Sequence, residues 1–245
     1  MTPEFIFDRE KERQRIDQFL RKRRPFLIYG PSGVGKTLLL RDVLSEFRSV
    51  LYCDDSSTTN VVFRSLAHSL LRLGSPRAKK VFRDEDAIAS KSAVSLKGIV
   101  MDALREGEYS IILDHLRRPS YAFASAAREI LSWGSTPVSA VARSAHMEDT
   151  GFLQFLYGDR TQKCEIDNFD QGTAERFARE MIQRRGLSGA NVGEFLEKIL
   201  EFSAGNPGTM IALIDMARYP KYRSQEHIKI TPLYIDFRMS GGLTR

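Results

Sequence analysis

Cysteine is scarce in this chain: there are two in 245 residues, Cys53 and Cys164. Both fall in segments that read as strands, so two buried thiols are expected rather than a disulfide. No apolar run is long enough to cross a bilayer, and Met1-Thr2-Pro3-Glu4 has neither the basic nor the apolar region of a signal peptide. A cytoplasmic protein without membrane contact is the expectation. Internal repeats and low-complexity tracts are missing too. No charge sign dominates: 37 Lys and Arg face 31 Asp and Glu, a net +6. That balance is compatible with a nucleic-acid or acidic partner without requiring one.

What is present is ordinary in amount, with 42% hydrophobic and 28% charged residues. The length suffices for one large α/β core, or a core with a small appended domain. The pattern is organised around Gly30-Pro31-Ser32-Gly33-Val34-Gly35-Lys36-Thr37-Leu38. The apolar run before it, residues 26–29, has the length of a buried parallel strand, and residues 37–47 read as a helix. Gly30, Gly35, Lys36 and Thr37 fill every fixed position of the phosphate-loop pattern G-x-x-x-x-G-K-[ST]. Glycines let backbone amides approach a phosphate closely, and the following helix adds the positive end of its dipole. Lys36 is expected on the outer phosphates and the Thr37 hydroxyl on Mg²⁺, which makes ATP with Mg²⁺ the implied ligand.

Four further strands are expected at residues 49–53, 109–113, 137–142 and 162–166, alternating with helices. Alternation of this kind points to a parallel sheet covered on both faces. Residues 5–20 read as a turn and an amphipathic helix, ahead of the basic run 21–24. Residues 74–90, polar and charged, read as a mobile loop or partner-binding insertion. After Asp170 the strand pattern stops, and three helices from 173 to 217 suggest a small helical lid. The expected division is a core over 1–168, a lid over 169–220 and a tail over 221–245, the tail being a hairpin or simply an ordered tail.

Asp114 closes an apolar strand, Ser110-Ile111-Ile112-Leu113, and a carboxylate at that end can hold the metal that bridges outer phosphates. His115 follows it. A neutral imidazole there accepts a hydrogen bond from water but carries no fixed negative charge, or else His115 is structural or faces a partner. Arg143 ends the strand expected beside the phosphate-loop strand. Its guanidinium either reaches the γ-phosphate or is a surface group in a loop. Gly205-Asn206-Pro207 either stops one helix and starts the next or lays the proline ring on an adenine.

Taken together, Phe7-Asp8-Arg9-Glu10, the loop from Gly30 to Thr37, Ile111-Ile112-Leu113-Asp114, Ala142-Arg143-Ser144 and Gly205-Asn206-Pro207 resemble the AAA+/STAND group of P-loop ATPases, over about residues 4 to 218. The resemblance implies an ATPase with Arg9 on the adenine side, although Asp8 stands where the group has glycine. It also implies Arg143 as the sensor arginine, and Gly205 and Pro207 as the G-x-P motif. Hydrolytic members carry Glu where this chain has His115, so slow turnover and a switch-like role follow. The alternative within the same fold is an ATP-gated DNA-binding or loader protein, supported by the net charge, residues 21–24 and the basic stretch 77–83. A protein partner or a homo-oligomer is compatible with both, and Arg117, Arg118 and Arg128 are candidates for an arginine supplied to a neighbour. A small-molecule kinase is disfavoured because no acceptor site with a general base is recognisable.

Overall fold

The computed structural model describes residues 6–242. The opening Met1-Thr2-Pro3-Glu4, Phe5 and the last residues of the expected tail, 243–245, lie outside them. Contacts divide the chain into two units. One comprises Arg9–Gly30 and Lys36–Glu165; the other comprises Met1–Asp8, Pro31–Gly35 and Ile166–Arg245.

The first unit contains, in chain order, α1 (Glu10–Arg21), β1 (Leu27–Tyr29), α2 (Lys36–Leu44), β2 (Val50–Cys53), α3 (Thr59–Arg72), α4 (Pro76–Val81), α5 (Glu85–Ala89), α6 (Ala93–Glu106), β3 (Ser110–Leu116), α7 (Tyr121–Ser132), β4 (Val138–Ala142), α8 (Met147–Thr150) and β5 (Lys163–Glu165). The five strands form one parallel sheet in the order β2-β3-β4-β1-β5. Because both faces are covered, the strands are nearly continuous apolar runs, as in Ser110-Ile111-Ile112-Leu113. Leu51, Leu66, Val100, Ile111, Leu113 and Ala140 belong to one buried cluster that joins β2, β3 and β4 to α3 and α6. Side-chain caps fix the helix starts: Thr58, Ser92 and Ser120 each accept from the amide three residues on. Cys53 and Cys164 are buried free thiols, as expected.

Two expectations are corrected in this unit. Residues 74–90 are not a loop, since α4 and α5 occupy them and bury Ala78, Phe82 and Ile88. The apolar anchors are few and widely spaced, yet each reaches the core shared with α3 and α6. In addition, β3 does not stop before Asp114 but runs on to Leu116. The register shifts between Leu113 and Leu116, and His115 takes φ +52°, so a bulge absorbs one residue before Leu116 pairs with Ala142.

The second unit is helical: α9 (Gln171–Arg184), α10 (Val192–Ser203), α11 (Pro207–Ala217), a short antiparallel pair β6 (Arg223–Ser224) and β7 (His227–Ile228), and α12 (Ile230–Met239). Phe177, Met181, Phe195, Ile199, Met210 and Leu213 form its core, with Phe7 and Phe169 packed against it. The tail is therefore a two-residue-per-strand hairpin followed by a helix, and residues 233–237 are not a strand. Leu233 and Phe237 are buried four residues apart, which is the helical spacing, while Ile235 between them is exposed.

Candidate nucleotide site

After Tyr29 the chain turns through Gly30-Pro31-Ser32-Gly33-Val34-Gly35 into α2. Gly30, Gly33 and Gly35 have φ of +151°, +84° and +94°, values that a side chain would strain. The Gly30 N–H donates to the Arg143 carbonyl at 3.2 Å, so the start of the loop is fixed to the end of β4.

In the sheet unit, Lys36 Nζ donates to the Gly30 carbonyl at 2.7 Å. Burial pushes the Lys36 ammonium down to about 8; Asp114 pulls it back up, Arg143 lowers it further and Asp149 raises it. The structure thus brings Lys36 within electrostatic reach of Asp114, Arg143 and Asp149. Arg143 is solvent-exposed. Next to it, Ser144 Oγ donates to Asp149 Oδ2 at 2.6 Å.

Asp114 is fully buried. Its Oδ1 accepts the His115 backbone N–H at 2.7 Å, and its Oδ2 accepts the Tyr52 hydroxyl at 2.5 Å. Ser56 Oγ donates to its backbone carbonyl at 2.9 Å. The bulge turns the His115 side chain outward, 62% exposed, with Nε2 3.9 Å from Asp114 Oδ2. Thr37 and Leu38 lie in the first turn of α2, both partly buried.

The donor set fits a cation that arrives with a phosphate. Among the described residues no group of three or more His, Cys, Asp or Glu side chains forms a protein-built metal cage. The Thr37 hydroxyl and the Asp114 carboxylate are oxygen donors of the kind Mg²⁺ accepts when phosphates and water fill its remaining positions. For the nucleotide itself, the positive-φ glycines and the partly buried lysine match what a polyphosphate needs.

In the helical unit, Asn206 caps α11: its Oδ1 accepts from the Thr209 N–H at 3.0 Å. Pro207 occupies the first turn and is buried, so the helix-starting role expected of it is present. The other end of the Asn206 amide donates to the Ser32 carbonyl at 2.9 Å and to Asn168 Oδ1 at 3.0 Å. The Gly208 N–H donates to the Gly33 carbonyl at 3.0 Å. Asp8 has φ +52°, so it holds the left-handed conformation of the glycine it replaces. Its carboxylate accepts from Arg176 at 2.7 Å and from Thr173 Oγ1 at 3.2 Å. Arg9 belongs to the sheet unit, where it stands at the start of α1 and pairs with Glu12 at 3.3 Å.

The sequence reading missed Tyr52, Asn206 and Gly208. Asn206 was legible as a helix cap, but nothing local announces a bond to a carbonyl 174 residues away. Tyr52 was only one apolar strand position among several.

The strand order, with the glycine loop between β1 and α2, is that of an α/β P-loop NTPase-like fold. No family model matches the sequence, and no curated protein does. Solved structures with the same fold include the Walker-type ATPase PABY2304 of Pyrococcus abyssi, at 19% identity and a TM-score of 0.66, covering 97% of this chain and 74% of that one. The Orc1 protein of Aeropyrum pernix, solved in complex with DNA, is similar at 15% identity and a TM-score of 0.64, over 97% of this chain and 66% of that one. Cdc6p from Pyrobaculum aerophilum follows at 14% identity and 0.62, over 99% and 65%. This chain spans just under two-thirds of the length of the latter two. Among the described residues no helix is long and apolar enough to cross a membrane.

Proposed function

We propose that the protein binds Mg-ATP through Gly30 to Leu38 and acts as a slow ATPase, a nucleotide-dependent conformational switch. The observation that carries this reading is Lys36: a partly buried ammonium beside Asp114 and Arg143, resting on the Gly30 carbonyl of its own loop. Burying a cation costs free energy, and a polyphosphate would add negative charge beside it. In this reading Lys36 holds the outer phosphates, and Thr37 and Asp114 hold the metal. Arg143 reports the γ-phosphate, and Arg9 and Pro207 contact the base side. Bound Mg²⁺ would neutralise charge on the outer phosphates. His115, exposed and without fixed charge, orients water poorly, which makes turnover slow. Residues 169–220 serve as the lid whose position differs between the loaded and empty states.

The test is titration of wild type and Lys36→Ala with ATP by calorimetry. The variant is expected to lose most of its affinity; equal binding by both proteins would remove the reading.

A second reading, an ATP-gated DNA-binding or loader protein, rests on the exposed cations Lys22, Arg24, Lys79, Lys80 and Arg83 of the two expected stretches and on a further surface. Arg21 pairs with Asp17 and Glu46, Arg23 donates to the Tyr109 and Ser135 carbonyls, and Arg77 pairs with Asp102. Arg117 and Arg118, in contrast, are exposed and have no ion pair among the described residues. Arg118 lines a groove of about 800 Å³ with Tyr121 and Phe152, whose rings meet edge-on at 5.3 Å. Exposed arginines beside exposed rings are the elements of a single-strand binding surface. Its affinity for DNA should fall about tenfold or more over a fourfold rise in salt. A flat response leaves a protein partner or a second copy as the occupant of that surface.

A further inference from the structure

We propose that Asn206, together with the Gly208 amide, is a positioning residue that presets the phosphate loop for its ligand. The inference rests on the reading that the loop binds a polyphosphate.

The argument begins with the planar trans peptide, which points its carbonyl and its N–H in opposite directions. No peptide among the described residues is cis. The Ser32 carbonyl shares its peptide with the Gly33 N–H, and the Gly33 carbonyl shares its peptide with the Val34 N–H. Asn206 Nδ2 holds the first carbonyl at 2.9 Å, and the Gly208 N–H holds the second at 3.0 Å. Both carbonyls are therefore turned toward the start of α11, and the Gly33 and Val34 amides are turned away from it. Two consecutive amides on one side, at a glycine with φ +84°, form the beginning of an anion nest.

Helix capping does not account for this arrangement. The cap needs only Asn206 Oδ1, which accepts from the Thr209 N–H and, at 3.3 Å, the Thr209 hydroxyl. Because both groups donate to Oδ1, the opposite end of the side chain is the NH₂. That end spends its two protons on the Ser32 carbonyl and on Asn168 Oδ1. The residue is buried, with 8% of its surface exposed, so water does not compete well for these bonds. An unclamped loop would have to order these two peptides as the ligand arrives, and that cost would appear as lost affinity.

The test uses Asn206→Ser, which keeps a neutral capping oxygen but is too short to reach Ser32. ATP and inorganic tripolyphosphate are titrated by calorimetry, and amide hydrogen exchange is followed at Gly33 and Val34. The expected result is about tenfold weaker binding of both ligands, faster exchange at the two amides and a melting temperature close to wild type. Asn168→Ala, which removes the other partner of the NH₂ and the Asn168 bond to the Ala204 carbonyl but leaves the bond to Ser32, should leave binding near wild type. Wild-type affinity in Asn206→Ser, with Lys36→Ala inactive in binding, would overturn this inference and leave the proposed function standing. If wild type binds neither ligand, the proposed function fails and this inference with it. Unchanged exchange at Gly33 and Val34 in the ligand-saturated proteins would overturn the positioning role.

Discussion

The Tyr52 hydroxyl on β2 donates to Asp114 Oδ2 on the neighbouring strand β3 at 2.5 Å. The carboxylate is fully buried, so each donor it has replaces water that cannot reach it. Burial and the adjacent carboxylate push the Tyr52 phenol well above its ordinary range, which keeps it a donor at every pH where the fold persists. Tyr52→Phe should destabilise the protein by about 1.5–3 kcal/mol, the range for hydrogen bonds to charged groups. A denaturant midpoint equal to that of wild type would show that Asp114 finds another partner.

Lys36 gives a pH signature. Burial sets its ammonium near 8, below the ordinary lysine value of 10.5, so the folded protein releases that proton earlier than the unfolded chain. Between those two values the unfolded state binds more protons, and the contribution of Lys36 to stability rises with pH. Triphosphate binding runs the other way, because it needs the charged form. Affinity for ATP should be level from pH 6 to 7 and fall above about 8, approaching tenfold per unit, with close to one proton taken up per ATP bound at pH 9. Calorimetry in buffers of different ionisation enthalpy reads the uptake directly. Zero uptake at pH 9 would mean that Lys36 is already charged in the free protein or does not meet the phosphates.

His115 is the position where a carboxylate would act on water. His115→Glu should accelerate phosphate release by roughly tenfold or more, since a positioned general base is worth at least that much. The bulge constrains this result, because the backbone at φ +52° disfavours most side chains and Glu will lower stability slightly. Release at the wild-type rate in a folded His115→Glu protein would show that the bulge aims residue 115 away from the attacking water.

Much of this was legible because the informative residues are local. Five apolar runs became five parallel strands, and β4 lies beside β1 as the resemblance implied. What the sequence hid has two physical sources. In residues 74–90 the helices are so short that no periodicity develops, and Ala78, Phe82 and Ile88 are buried only because α3 and α6 are there to receive them. In residues 233–237 an apolar run of strand-like composition became a helix, since tertiary burial of Leu233 and Phe237 overrides intrinsic preference. The bulge at His115 and the bond from Asn206 to Ser32 are relations between distant segments, invisible to any window read along the chain.

Gly205, the first residue of the G-x-P turn, is fixed by backbone geometry. Its φ is +79°, and its carbonyl accepts the Phe169 N–H at 2.9 Å. An added Cβ would fall on the Phe169 carbonyl oxygen, a backbone atom held by that same pairing. Gly205→Ala therefore meets both a left-handed penalty and an overlap that no rotamer change relieves, together about 2–4 kcal/mol. Gly186 offers the contrast: φ is +60°, and nothing lies within 4 Å of an added Cβ. Gly186→Ala should cost only the backbone share, about 1 kcal/mol. Thermal unfolding of the pair separates the two contributions. Equal losses would mean that Phe169 shifts freely, and that this turn is less rigid than its contacts with residues 168–169 imply.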